Sequence, residues 1–286
     1  MRADRSSART LALGACLATL GLATLAGHAH ARPRVASAHV PIRIVIVGYS
    51  VDHRPIRAFV VGAPTAARRI LVVGCIHGTE PAGEAITRRL RSLTPPAGAV
   101  WWLVDQFNPD GCLAGTRQNA HGVDLNRNAP WRWQHLEQPG GTFYSGPYPL
   151  SEPESRAINQ LVTRLRPAVS IWYHQHATLV DSSSGGDPAI ERAYARTVGL
   201  PFRGYPFVPG SITSWQDATF PHDTAFVVEL PAGALPPSSV ARHVAAIVAL
   251  SKPPVKPAAS GDALARPQRA PALSVRHAVV VRTQST

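Results

Sequence analysis

Ile70 to Val73 are four apolar residues in a row, and they run through Gly74-Cys75-Ile76 into His77-Gly78-Thr79-Glu80 and then Pro81. An apolar run that short, followed at once by a helix-opening proline and a stretch reaching Leu93, reads as one strand-to-helix unit. That helix would carry a basic face at Arg88, Arg89 and Arg91. The alternation continues between about residues 40 and 250. Ile42 to Val47, Ala58 to Val61, Val100 to Val104, Val169 to His174 and Ala225 to Leu230 read as strands. Ser151-Glu152-Pro153-Glu154 predicts a helix to about Leu165, with Ser151 as its cap and an acidic first turn. Pro188 to Val198 and Ser238 to Leu250 read as further helices. Strands and helices in alternation predict a single α/β domain, a mixed or largely parallel sheet sandwiched by helices. No internal repeat interrupts it.

Ligands in such sheets gather beyond the carboxyl ends of the strands. His77 and Glu80 stand there, three residues apart, and imidazole nitrogen and carboxylate oxygen are both good Zn²⁺ ligands. A catalytic zinc needs a third protein ligand. Tyr173-His174-Gln175-His176 offers two histidines on one side of an extended segment, with His174 preferred and His176 as fallback. Glu229 ends the apolar run Phe226-Val227-Val228. Burying it unpartnered would be costly, so it is expected to face a cleft as a general base. Arg117 and Arg127 lie in the Gly/Asn-rich stretch that follows Asn108-Pro109-Asp110-Gly111. One can grip a terminal carboxylate while the other steadies a developing oxyanion. Taken singly, each of these residues also suits a plainer role, as a structural histidine, a strand-end ion pair or a solvated loop arginine.

The first 31 residues read as an export signal. Arg2, Arg5 and Arg9 precede a short Ala/Leu-rich core from Leu11 to Leu25, and Ala29-His30-Ala31 is a small-residue cleavage site. That core is too short and too rich in alanine for a permanent span, so no integral membrane segment is expected in the mature chain. The predicted organisation is a signal peptide over 1–31, a catalytic domain over 32–250 and a Pro/Ala/basic disordered tail over 251–286. The short apolar run at Ala278 to Val281 is a weak candidate for an edge strand. The expected location is outside the cytoplasm: secreted, periplasmic or at the cell wall. There, Cys75 and Cys112 could form a disulfide or remain two buried thiols, and the sequence leaves both open. The formal net charge of +12 is shared among signal, tail and core, which suits acidic surfaces. No nucleic-acid motif accompanies it.

Read together, His77-Gly78-Thr79-Glu80, Asn108-Pro109-Asp110-Gly111, Arg117-Gln118-Asn119, Gly122-Val123-Asp124-Leu125-Asn126-Arg127-Asn128, Ser151-Glu152-Pro153-Glu154, a strand-borne histidine and a late strand ending in Glu229 resemble the M14 zinc carboxypeptidases. Order and spacing agree over roughly residues 70 to 235. The resemblance implies a phosphorylase/hydrolase-like fold and one Zn²⁺ per chain held by His77, Glu80 and His174. It implies Glu229 as the general base and Arg117 as the group that polarises the scissile carbonyl. Asn126 and Arg127 would bind the substrate's C-terminal carboxylate. Gly210-Ser211-Ile212-Thr213-Ser214-Trp215 resembles the family's Gly-Ser-Ile-x-x-Trp segment, which places Tyr205 as the mobile active-site tyrosine. Ile212 and Thr213 would then stand near the pocket for the leaving residue.

Within the family, Gly74-Cys75-Ile76-His77-Gly78-Thr79-Glu80-Pro81 and the short separation of Glu80 from Arg127 look closest to the bacterial murein peptide amidases. These release meso-diaminopimelate from D-glutamate in cell-wall peptides. The implied partner is a peptide with a free C-terminal carboxylate, and the chain is read as a monomer. Asp181 and Asp187 are candidates to meet the second amino group of such a substrate. A zinc-dependent deacylase or desuccinylase of small acyl-amino acids, or a non-catalytic wall-binding relative, are the alternatives.

Overall fold

The computed structural model describes residues 42–182 and 185–253. The signal expected over 1–31, the tail from residue 254 and its candidate strand at 278–281 lie outside the described residues. Eight strands form one mixed sheet in the order β1-β2-β4-β3-β5-β8-β6-β7. They are β1 (Ile42–Tyr49), β2 (Pro55–Gly62), β3 (Arg68–Val73), β4 (Ala99–Val104), β5 (Val169–Gln175), β6 (Leu179–Asp181), β7 (Phe202–Arg203) and β8 (Thr224–Leu230). The central ladders β4/β3, β3/β5 and β5/β8 are parallel. β1/β2, β2/β4 and β6/β8 are antiparallel.

Alternate side chains on the central strands go to opposite faces, and each face is covered by helices. Ile70 and Val72 join Tyr173, Phe226 and Val228 in a core closed by α1 (Glu84–Arg91), α4 (Pro188–Val198) and α6 (Pro237–Ser251). Leu71 and Val73 join Trp172 and Val227 in a second core, under α3 (Pro153–Leu165) and α5 (Ile212–Thr219). Continuous apolar runs are what a strand buried on both faces requires. The expected sandwich is therefore the observed one, with every strand seen in the sequence present and most of them longer. Among the described residues, no helix is long and apolar enough to cross a membrane.

Two local expectations change, and one short helix is new. The helix foreseen over 81–93 opens as a 3₁₀ turn, Pro81–Gly83, and only Glu84–Arg91 is α-helical. Gly83 lies so close to the Gly74 carbonyl and the Tyr173 side chain that a Cβ there would collide with both. Ser151 is not the cap of α3. The capping position is Glu152, while Ser151 Oγ donates to Glu152 Oε1 at 2.7 Å and accepts from Asn128 Nδ2 at 3.0 Å. Asn108-Pro109-Asp110-Gly111 begins a short helix, α2 (Pro109–Ala114). Asn108 caps it by accepting from Gly111 N at 2.9 Å.

Behind β5, three buried polar rings join strand and helices. Tyr173 and Tyr194 hydroxyls are 2.6 Å apart, and Tyr194 Oη lies 2.8 Å from His243 Nδ1 on α6. Burial, with the Arg242 charge adding to it, lowers the His243 pKa to about 4. The ordinary histidine value is about 6.5, so the unfolded chain takes up a proton that the folded chain refuses between those values. Stability owed to this site is complete above about pH 6.5 and is lost as pH falls toward 4, by up to about 3 kcal/mol. Urea unfolding at pH 7 and pH 4.5 should show that loss, and a His243→Leu variant should show a smaller difference between the two pH values.

Candidate active site

β3 ends at Val73, and the turn after it carries His77 and Glu80, both buried. His174 comes from the end of β5, the neighbouring parallel strand. His77 Nδ1 and His174 Nδ1 approach the same oxygen, Glu80 Oε2, at 3.0 and 3.1 Å. Ligand atoms about 2.1 Å from a tetrahedral ion would lie about 3.4 Å from one another, so the three side chains have the spacing of a metal site. Buried polar atoms without partners are rare. Yet among the described residues His77 Nδ1, the nitrogen that faces Glu80 Oε2, is buried and makes no well-aligned hydrogen bond. The donor set, its spacing and this nitrogen fit a zinc ion. His176, the fallback, is exposed and stands outside this group.

Asp124 holds the arrangement from behind. It is fully enclosed, and its Oδ1 lies 2.9 Å from His77 Nε2. Its other oxygen accepts from Arg117 Nε at 3.0 Å and is 2.9 Å from Arg117 Nη2. Arg117 Nη1 donates in turn to Glu80 Oε1 at 2.9 Å. Burial works against the charge on both carboxylates. The neighbouring His77, His174 and Arg117 outweigh burial and hold Asp124 and Glu80 well below the usual carboxylate range. Burial alone would lower the His77 pKa, but Asp124 and Glu80 together raise it.

The arginine loop is pinned by buried acids. Glu152 Oε2 and Glu154 Oε2 both accept from Asn119 Nδ2, at 2.8 and 3.1 Å. Burial pushes the Glu154 pKa up. This explains Ser151-Glu152-Pro153-Glu154, which the sequence marked as a helix start: its acids anchor Arg117-Gln118-Asn119. Arg127 is held by a close backbone approach. Gly210, at φ +69°, lies so near the Arg127 carbonyl that any Cβ would overlap it. Asn126 Oδ1 accepts from Ile212 N at 3.1 Å, which leaves its amide NH₂ as a donor.

These groups meet at a cavity of about 340 Å³ whose lining includes Glu80, Arg117, Asn126, Arg127, His174 and Glu229. Glu229 is the register partner of His174 across the β5/β8 ladder, so the two side chains leave the sheet on the same side. Its Oε2 accepts from Ala177 N at 3.3 Å. Tyr205 lines the cavity and is partly exposed. Partial burial, then the charges of Glu229 and Asp181, raise its pKa. The candidate ligands, Arg117, Asn126, Arg127, Tyr205 and Glu229 are thus at or directly beneath one cavity.

Other expectations divide. Ile212 and Thr213 are buried in the first turn of α5, and Ser211 and Ser214 line the cavity in their place. Helical spacing, one residue either side, accounts for the exchange. Asp181 lines the cavity, whereas Asp187 caps α4 by accepting from Ala189 N at 2.8 Å. Cys75 and Cys112 are free thiols with sulfurs 2.8 Å apart. Sequence reasoning quoted Asp124 and Asn119 but assigned them no task. A short acid two residues before Asn126-Arg127, in a Gly-rich turn, was the available signal.

A two-histidine, one-glutamate group beside a strand-end glutamate in the cavity wall and a basic anchor points to a metallopeptidase, and the model for zinc carboxypeptidase, the M14 peptidases, matches residues 34–189. The chain belongs to that family and is a metal-dependent peptide hydrolase. Murein peptide amidase A of Escherichia coli K12 is 32% identical over 200 residues, covering 64% of this chain and 80% of that protein. The crystal structure of murein-tripeptide amidase from Escherichia coli O157 matches with a TM-score of 0.61 at 28% identity, over 77% of this chain and 95% of that one. Carboxypeptidase A from Helicoverpa armigera, 17% identical, shares the fold with a TM-score of 0.64 over 74% of this chain and 68% of its own.

Asp124→Asn keeps the size of the side chain but removes the charge that orients His77 and Arg117. Loss of such an outer carboxylate lowers metal affinity by roughly 10–100-fold. Competition against a chromogenic chelator should show that weakening, with near-native circular dichroism.

Proposed function

We propose that this chain is an exported zinc carboxypeptidase that removes the C-terminal residue from murein peptides. One observation carries the chemistry: Glu229, Arg117, Arg127 and the His77/Glu80/His174 group converge on a single cavity of about 340 Å³. Kinship with murein peptide amidases supports the substrate.

The residues divide the work by position. Arg127, with the amide of Asn126, receives the free C-terminal carboxylate. The Arg127 guanidinium is mostly buried, and burial strengthens its pairing with an anion. That docking sets the scissile carbonyl between Arg117 and Glu229. When bound by His77, Glu80 and His174, zinc supplies Lewis-acid polarisation of the carbonyl and acidifies water. Glu229 accepts the proton of the attacking water and later delivers it to the leaving amine. Arg117, steadied by Asp124 and Glu80, offsets the negative charge that develops on the carbonyl oxygen. Asp181 places an acid in the cavity wall, which matches a leaving residue bearing a second amino group.

The deciding experiment incubates zinc-loaded protein with L-Ala-γ-D-Glu-meso-diaminopimelate and follows free diaminopimelate by mass spectrometry. Release is expected, and Glu229→Gln should nearly abolish it while keeping one zinc per chain. Absence of release by the native protein, with zinc bound, would overturn the substrate. For the anchor, Arg127→Ala should raise KM much more than it lowers kcat, since its grip is similar in ground and transition states. Steady-state kinetics showing equal falls in kcat and kcat/KM would contradict that role. Export predicts a mature protein beginning near residue 32, to be read from the intact mass of the extracytoplasmic fraction.

A further inference from the structure

The cysteine pair behind the ligand turn has no task in this chemistry. Cys75 is fully buried, two residues before His77, and its Sγ lies 3.1 Å from the His77 carbonyl. Cys112 sits on α2, half-buried, with its Sγ 2.8 Å from that of Cys75. The turn and the helix are in close backbone contact here, since a Cβ on Gly78 would run into the Gly111 carbonyl. Cys112 also lines a second cavity, of about 500 Å³, whose walls include Arg54, Arg57 and Arg88. Cys75 does not line it. The pair therefore has one thiol open to a reagent and one held directly behind it.

We propose that Cys75 and Cys112 are a cross-linking site, oxidised to a disulfide that fastens the metal-ligand turn to α2. A small disulfide, RSSR, is the oxidant. The Cys112 thiolate attacks one of its sulfurs and expels RS⁻. Cys75 Sγ then attacks Cys112 Sγ in the mixed disulfide, its proton passing to the departing sulfur, which leaves as the second RSH. Two protein thiols give up two protons and two electrons, and RSSR leaves as two RSH. The cavity wall carries both charges, Arg54, Arg57 and Arg88 beside Glu84 and Asp105, which suits a zwitterionic carrier such as a glutathione-type disulfide.

Glu84 lies near enough to both sulfurs to suggest a second metal site. Its carboxylate is already engaged by Arg88 and by Gln106 Nε2 at 3.0 Å. Two thiolates on one tetrahedral zinc would stand about 3.8 Å apart, farther than these do. Both facts favour the cross-link.

The test uses the full chain and does not depend on the substrate. Protein treated with oxidised glutathione or with dithiothreitol is denatured, alkylated with iodoacetamide and mapped by mass spectrometry. The protein is prepared with its first 31 residues uncleaved, and of its three cysteines Cys16, in that segment, serves as the internal control. Oxidised protein should yield a linked Cys75–Cys112 peptide pair with only Cys16 alkylated, and reduced protein all three alkylated. The cross-link should also raise Tm by on the order of 10 °C. Cys112→Ser should erase the difference between the two treatments, and if that variant fails to fold, the comparison within the native chain stands alone. Three alkylated cysteines after oxidation, glutathione left on Cys112, or a linked pair without a gain in Tm would each overturn the proposal. So would a second zinc per chain that N-ethylmaleimide releases.

Discussion

The enclosed carboxylate of Asp124 is the interaction from which the site is assembled. An isolated buried charge costs several kcal/mol, and only close partners with good geometry offset it. Asp124 finds them in His77, in Arg117 and in the backbone of Asn126. Those partners come from the strand end that carries the ligand turn and from the loop that carries the substrate anchor. One buried group thus registers the two segments, and Arg117 Nη1 reaching Glu80 Oε1 adds a second tie between them. Glu80 and Asp124 are matched by Arg117 and Arg127, and a divalent ion would offset the two further acids of the wall, Glu229 and Asp181.

The pinning of the arginine loop follows the same logic at longer range. Asn119 reaches Glu152 and Glu154, from the start of a helix more than thirty residues away. A loop rich in glycine and asparagine has little apolar surface to hold it. Buried polar bonds to a rigid helix end supply what packing does not. Precision at Arg117 then rests on α3, which itself packs against the sheet through Ala157, Ile158 and Val162.

The sheet was legible in the sequence because its central strands are buried on both faces, and runs such as Ile70 to Val73 have no competing explanation. The candidate metal ligands and Glu229 were legible because each is a polar residue at, or in the turn just after, the end of such a run. What was not legible depended on contacts between distant segments. Ser151 looks like a helix cap because of its type and place, but the nearby Asn128 and Glu152 claim its hydroxyl. Ile212 and Thr213 were placed by their position in a motif, while the face of α5 that meets the second core decides that they point inward. Asp124 sat in plain view in Gly122-Val123-Asp124, yet its task appears only once His77 and Arg117 are brought to it.

The pairing of His174 with Glu229 across a parallel ladder has a consequence for how such sites can vary. Their separation is a property of backbone hydrogen bonding, so neither loop length nor surface composition alters it. A residue inserted within β8 would turn Glu229 to the opposite face and present a valine in its place. The connection from α5, through Phe220 to Asp223, is under no such restraint. A residue added in that connection would leave Glu229 opposite His174. Length can drift freely between the helix and the strand, while the chemistry is kept in step by the ladder.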